Sequence, residues 1–317
     1  MDIKRRDFLK TMAGSAAIVA VPAATLHASE DKIRSGSHVG ILYDSTLCVG
    51  CQVCMVACKK ANDMEGVQNG PLGIWENPQD LSSTTLNIIK KYEDGSHEYK
   101  DREENGYAFI KRQCLHCVDP ACASACPASA LTKDPETGIV TYNEDVCIGC
   151  RYCQVACQFN IPKFEWDEPF PEIVKCQMCS HLISKGDIPA CCSECPTGAT
   201  VFGPVYELLE ETVRRKSMTA GSEYEFPLGD VNSGKTVVHN AAEYIDHVYG
   251  EHEIGGTQVL YLSGVPFDRL GLPDLPEKSY ASVTERIQHT LYKGMVAPLA
   301  LFFGVLFLVT KNNNHNE

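Results

Sequence analysis

Apolar positions in this chain form short runs whose period changes from segment to segment. Thr11 to Leu26 is a soft apolar stretch of Ala, Val and Gly behind a basic start, Lys4-Arg5-Arg6-Asp7-Phe8-Leu9-Lys10. Thr85 to Tyr92 and Tyr107 to Lys111 read as strands around the polar turn Asp94-Gly95-Ser96. A second turn, Asp134-Pro135-Glu136-Thr137-Gly138, leads into an apolar strand, Ile139 to Tyr142. Val205 to Lys216 has the spacing of an amphipathic helix, and Thr257 to Val265 reads as a strand. The Pro-rich piece Pro266 to Pro276 leads to Gly294–Thr310, which carries no charge between Lys293 and Lys311. As a helix that segment is about 25 Å long. This is slightly short of a ~30 Å hydrocarbon core, so Leu291 and Tyr292 are expected to extend a single membrane anchor.

The N-terminal pattern is that of an export signal, and the Arg5-Arg6 pair followed by Phe8 and Leu9 points to the twin-arginine route. An ordinary Sec signal is the alternative. Cleavage after Ala28 is expected. Export of an already folded chain suits a cofactor inserted in the cytoplasm. Together the two ends predict a protein at the periplasmic face of a bacterial inner membrane, held by its C-terminal helix.

Composition changes the picture in two ways. A formal charge of −13 lacks the basic footprint of a nucleic-acid binder. Seventeen cysteines in 317 residues all fall between Cys48 and Cys195 in tight runs. That is not the disulfide framework of a short secreted domain.

The cysteines group as four sets: Cys48, Cys51, Cys54 and Cys58; Cys114, Cys117, Cys122 and Cys126; Cys147, Cys150, Cys153 and Cys157; Cys176, Cys179, Cys191 and Cys195. The first and third have the C-x2-C-x2-C-x3-C spacing of bacterial cluster ferredoxins. The second and fourth end in Cys-Pro, at Pro127 and Pro196. Local repeats support the pairing of types. Cys48-Val49-Gly50-Cys51 parallels Cys147-Ile148-Gly149-Cys150, and Cys126-Pro127-Ala128-Ser129-Ala130 parallels Cys195-Pro196-Thr197-Gly198-Ala199. Sets two and three are adjacent and make one ferredoxin unit. Sets one and four are left to make a second unit around it.

The expected fold class is therefore α+β: two nested bacterial-ferredoxin-like units, an inserted β segment, a C-terminal extension and one transmembrane helix. The expected division is a signal over 1–28, a four-cluster domain over 38–203 with an insertion over 59–112, an extension over 204–285, and anchor and tail over 286–317.

Soft thiolate sulfur suits iron, and in two-cluster ferredoxins the fourth cysteine of a run ligates the other cluster. That rule predicts four [4Fe–4S] clusters. Cys48, Cys51, Cys54 and Cys195 would hold the first, and Cys58, Cys176, Cys179 and Cys191 the second. Cys114, Cys117, Cys122 and Cys157 would hold the third, and Cys126, Cys147, Cys150 and Cys153 the fourth. Structural zinc also uses C-x2-C pairs, but four complete sets with two Cys-Pro endings favour iron. Cys192 is left over as a buried thiol, because Cys191 and Cys195 repeat the gap of Cys122 and Cys126; a register shift that makes Cys192 the ligand is the alternative. His116 is expected beside a cluster or at the surface. Lys111, Arg112, Arg151 and Lys175 could tune potentials by charge, with solvated surface the expectation for each taken alone. No catalytic constellation accompanies the cysteines. The chain conducts electrons and is not itself an enzyme.

The four-set pattern, over roughly Gly40 to Gly203, resembles the iron–sulfur subunits of membrane-bound respiratory oxidoreductases such as formate dehydrogenase, dimethyl sulfoxide reductase and polysulfide reductase. Over nearly the whole chain, the segments Leu42–Cys51, Glu104–Lys111, Gly255–Leu260, Ser263–Pro266 and Ile287–Met295 are similar to the electron-transfer subunits of hydrogenase-2, a nickel–iron uptake hydrogenase. Gln158 departs from that pattern, where a Pro often follows the fourth cysteine of the third set. The resemblance implies as partners the small and large hydrogenase subunits and a polytopic, quinone-reducing membrane subunit. The same role beside a formate dehydrogenase or sulfur-compound reductase, or a free-standing exported ferredoxin, is the alternative.

Overall fold

The computed structural model describes residues 34–64 and 75–313. The twin-arginine segment over 1–28 lies outside the described residues, as does part of the insertion. One compact unit runs from Lys32 to Ala281; of a second, the helical residues from Ser282 to Asn313 are described.

The larger unit has mixed α/β content around a four-stranded sheet drawn from distant parts of the chain. Its strand order is Gly229–Asp230, Thr200–Pro204, Val39–Asp44, Val259–Leu262. Val39–Asp44 runs antiparallel to Thr200–Pro204, with Leu42 opposite Val201, and parallel to Val259–Leu262, with Leu42 opposite Leu260. Alternation along these strands decides what each face touches. Ile41, Tyr43, Val259 and Tyr261 enter the main core with the cysteines of sets one and four. Leu42, Val201, Leu260 and Leu262 enter a second core with Leu208. Both faces are covered, so these strands are apolar at consecutive positions.

The helix Val205–Lys216 forms where its spacing predicts. Pro204 occupies its N-cap, and Val205, Leu208, Glu211, Thr212 and Arg215 line the buried stripe. Arg215 is fully buried and pairs with Asp44 at 2.8 Å and Glu211 at 2.7 Å. Tyr244 donates to the same Asp44 carboxylate at 2.8 Å. This network ties the extension after Gly203 to the central strand.

The insertion carries the expected hairpin, Ile88–Glu93 against Gly106–Arg112, with Ile88 opposite Arg112. A two-residue strand, Tyr99–Lys100, adds to it in parallel and was not foreseen. Further along, Leu131–Lys133 pairs with Val140–Tyr142 around the turn at Asp134–Gly138. These strands enclose a small separate core of Leu131, Val140, Ile173, Cys122 and Cys153.

The C-terminal expectation needs correction. Gly294–Thr310 does lie in a helix, Tyr280–Asn313, with Pro298 inside it. Among the described residues, however, no helix is long and apolar enough to cross a membrane. The physical reason is in the sequence: the charge-free run is shorter than a span, and the helix before it carries Glu285, Arg286 and Lys293. What the structure shows is a long helix whose later turns expose Phe302, Phe303, Leu306, Phe307 and Leu308.

Candidate metal centres

All seventeen cysteines are described, and all are free thiols with no disulfide. Three small cavities are each lined by four of them at a time. One is lined by Cys48, Cys51, Cys54 and Cys195. The next is lined by Cys58, Cys176, Cys179 and Cys191. Another is lined by Cys126, Cys147, Cys150 and Cys153. The remaining four also meet: Cys157, Cys114 and Cys122 lie near enough to Cys117 to act on its thiol. These are the four groups expected from the spacing, and each mixes cysteines from two sets. Short helices make the exchange: Val53–Ala61 packs on Ala190–Ser193, and Ala121–Ser124 on Tyr152–Ala156.

Backbone conformation repeats as closely as the sequence does. In the two C-x-G-C loops, Gly50 and Gly149 have φ of 69° and 66°, a conformation that disfavours any side chain. The next loop position but one, Gln52 or Arg151, is also left-handed, at 60° and 62°. In the other pair of sets His116 matches Met178, at 49° and 53°, and Ser129 matches Gly198, at 53° and 68°. Such turns aim successive side chains and N–H groups inward. Ala130 N–H donates to Cys126 Sγ at 3.2 Å, Met178 N–H to Cys176 Sγ at 3.3 Å, and Asn62 Nδ2 to Cys58 Sγ at 3.7 Å.

The donors fit a polynuclear iron–sulfur group. Among the described residues, no three His, Cys, Asp or Glu side chains gather closely enough to hold a single metal ion. A zinc ion would draw its thiolates to about 2.3 Å from one centre. Three of the quartets here line a cavity instead. Burial pushes the Cys54, Cys58 and Cys122 thiols up to about 12 and Cys153 up to about 11. Thiolates so disfavoured in the free protein require a cation to hold them.

Cys191 differs. The adjacent Cys192 thiol, together with the Lys111 ammonium, outweighs burial and holds Cys191 below the ordinary thiol range. Cys192 itself is fully buried and its thiol is pushed up by burial. Cys191, not Cys192, lines the second cavity, as the repeat of gaps requires.

The neighbouring charged residues divide. Lys111 and Lys175 are buried, at 0% and 4% exposure, against the expectation of solvated surface. The Lys175 ammonium donates to the carbonyls of Val140 and Cys176. Arg151 is exposed and lies over the Trp166 and Phe164 rings, and Arg112 is half-buried. His116 is buried; its Nδ1 accepts from Val140 N–H, and burial holds its pKa well below the ordinary range. Sequence reasoning places Tyr43 and Tyr142 at matching positions of the repeat but gives them no role at the sites. Burial raises both, with the adjacent thiols Cys48 and Cys147 adding to the effect. Their matching places in the repeat, five residues before a first cysteine, were the available signal.

Comparison with known proteins agrees with this architecture. The 4Fe-4S dicluster domain family matches residues 106–205. The chain is 47% identical to the Hydrogenase-2 operon protein HybA of Escherichia coli O157:H7, and equally to that of Shigella flexneri, over 99% of this chain and 98% of each relative. It is 32% identical to the nitrate-inducible formate dehydrogenase iron–sulfur subunit of Escherichia coli K12, over 86% of this chain and 84% of the relative.

Proposed function

Because the chain belongs to the family of the hydrogenase-2 operon protein HybA, we propose that it relays electrons from a periplasmic nickel–iron hydrogenase to a quinone-reducing membrane subunit. It is the iron–sulfur electron-transfer partner in that reaction, not the catalytic one. The observation that carries this reading is the gathering of sixteen cysteines into four mixed quartets, three of them lining a cavity.

The ligand sets are those given by the spacing: Cys48, Cys51, Cys54, Cys195; Cys58, Cys176, Cys179, Cys191; Cys114, Cys117, Cys122, Cys157; Cys126, Cys147, Cys150, Cys153. When bound there, [4Fe–4S] clusters supply one-electron carriers. The residues do the rest. Cysteines fix each site between two short helices, N–H groups donate to sulfur, and the second site is buried against the apolar core. Exchange of a ligand between neighbouring sets places the two sites of each pair side by side.

Export through Arg5 and Arg6 fits a partner on the periplasmic side. The exposed apolar turns around Phe302 and Phe307 suit attachment to a membrane-embedded subunit. A specific observation also supports the same role beside a formate dehydrogenase, namely the likeness to that enzyme's iron–sulfur subunit.

The test is truncation before Thr290 in the intact strain. About sixteen iron per chain, four per cubane, should remain, and hydrogen-dependent dye reduction should survive. Hydrogen-dependent quinone reduction should fall sharply. Equal loss of both activities would mean that the helix serves assembly, and unimpaired quinone reduction would refute its attachment role. Formate-dependent instead of hydrogen-dependent electron flow would select the second reading. Replacing Arg5 and Arg6 together by Lys should leave cluster-loaded protein in the cytoplasm, and normal periplasmic accumulation would exclude the twin-arginine route.

A further inference from the structure

Burying an ammonium without a partner is among the most costly arrangements in a protein interior. Lys111 comes close to that position. It is fully buried near the end of the strand Gly106–Arg112. Among the described residues, no oxygen accepts from its Nζ, and the sulfur of Cys191 is the partner it meets. Lys175, by contrast, is satisfied by two carbonyls. What faces Lys111 is sulfur: Cys54 of the first quartet, and Cys58, Cys179 and Cys191 of the second. The charge is thus positioned at the junction of two sites. Of the residues lining the fourth cavity, Arg151 is the one cation, and it is exposed to solvent.

We propose that Lys111 is a shared internal counter-charge for the first and second cluster sites, raising the reduction potential of both. This rests on the iron–sulfur reading of the quartets. A thiolate-ligated cluster gains one further negative charge when it takes an electron, so a fixed cation nearby favours the reduced form more than the oxidised one. The effect is largest where water is excluded, because the local dielectric is low. No bond forms or breaks. One electron is added to the site and the ammonium keeps its proton. The cluster charge in turn offsets the cost of burying Lys111, which explains an amine that no oxygen accepts.

The experiment is a redox titration of the purified full-length chain, followed by electron paramagnetic resonance and iron analysis. It compares wild type with Lys111→Met, which keeps most of the volume, Lys111→Gln and Lys111→Arg. In the neutral variants, two of the couples should have at least a tenfold lower reduced-to-oxidised ratio at fixed ambient potential, equal to 59 mV for one electron. The other couples should stay in place and iron should be unchanged; Lys111→Arg should restore the wild-type positions. Loss of iron from the neutral variants with retention in Lys111→Arg would also support the proposal, since only the charge is common to the two functional side chains. Unshifted couples at full iron content, or iron loss in all three variants, would overturn it. Wild-type protein without cubane signals would instead overturn the cluster reading on which it rests.

Discussion

The outer pair of sites and the nested pair use the same ligand spacing in different surroundings. In the second quartet all four cysteines are buried, and that site borders the large core containing Ile41, Leu86 and Ile110. In the fourth quartet only Cys153 is buried, the supporting core is small, and Ile148, Tyr152 and Val155 are exposed beside it. Yet Gly50 and Gly149 adopt the same left-handed turn, and Gln52 and Arg151 follow suit. Ligand geometry is therefore a local property of the C-x-G-C loop. Solvent access, dielectric and nearby charge are tertiary properties, and these are what set the redox behaviour of otherwise identical sites.

The largest expected effect tests whether the quartets are separate units. Cys191→Ser should remove one cluster of the outer pair, and Cys150→Ser one of the nested pair, each seen as loss of about four iron, or convert it, seen as loss of about one. Cys192→Ser should keep the full count. Iron loss from Cys192→Ser alone would reverse the register at Cys191.

Core truncation should sharpen the comparison by a smaller margin. Leu42→Ala removes a fully buried side chain from the central sheet, at a cost of about 3 kcal/mol, and should lower the melting transition of the whole Lys32–Ala281 unit. Leu131→Ala touches the small core beside the fourth site and should loosen that site first. Loss of the nested-pair signals before global unfolding is the outcome to look for. Simultaneous loss of every signal in Leu131→Ala would show that the two pairs stand or fall together.

The smallest expected effect is confined to the insertion beside the outer pair. Burial pushes the Asp101 carboxyl up to about 6 from an ordinary 3.8, against the opposing pull of Lys100. The folded state therefore binds a proton more tightly than the unfolded one. Its stabilising contribution is present in full below pH 3.8 and is lost as pH rises through about 6. Asp101→Asn should flatten that part of the stability profile, measured by chemical denaturation between pH 4 and 7, and leave the nested-pair signals unmoved. An unchanged slope would locate the dependence elsewhere.

Much of this arrangement was legible from the sequence because its determinants are short-range. The quartets follow from three-residue steps and a rule about the fourth cysteine. Val205–Lys216 was readable because its buried stripe recurs at helical spacing behind Pro204. Val259–Leu262 was readable as a strand, but not as the parallel neighbour of Val39–Asp44, since nothing local encodes that partner. Two-residue strands such as Tyr99–Lys100 and Gly229–Asp230 carry no period at all. The burial of Lys111 was invisible for a related reason. A lysine between Ile110 and Arg112 looks solvated until the fold brings Cys54 and Cys191 to it.

The pairing of Val39–Asp44 with Val259–Leu262 also has a consequence in time. A growing chain can complete the segment from Cys114 to Cys157, with both nested ligand sets already in place, long before Val259 is made. The central sheet cannot close until Ile41 meets Val259, and bringing such remote ends together is the slow part of folding. Maturation thus runs from the inside outward, and the last strand to dock is the latch that shuts the outer pair.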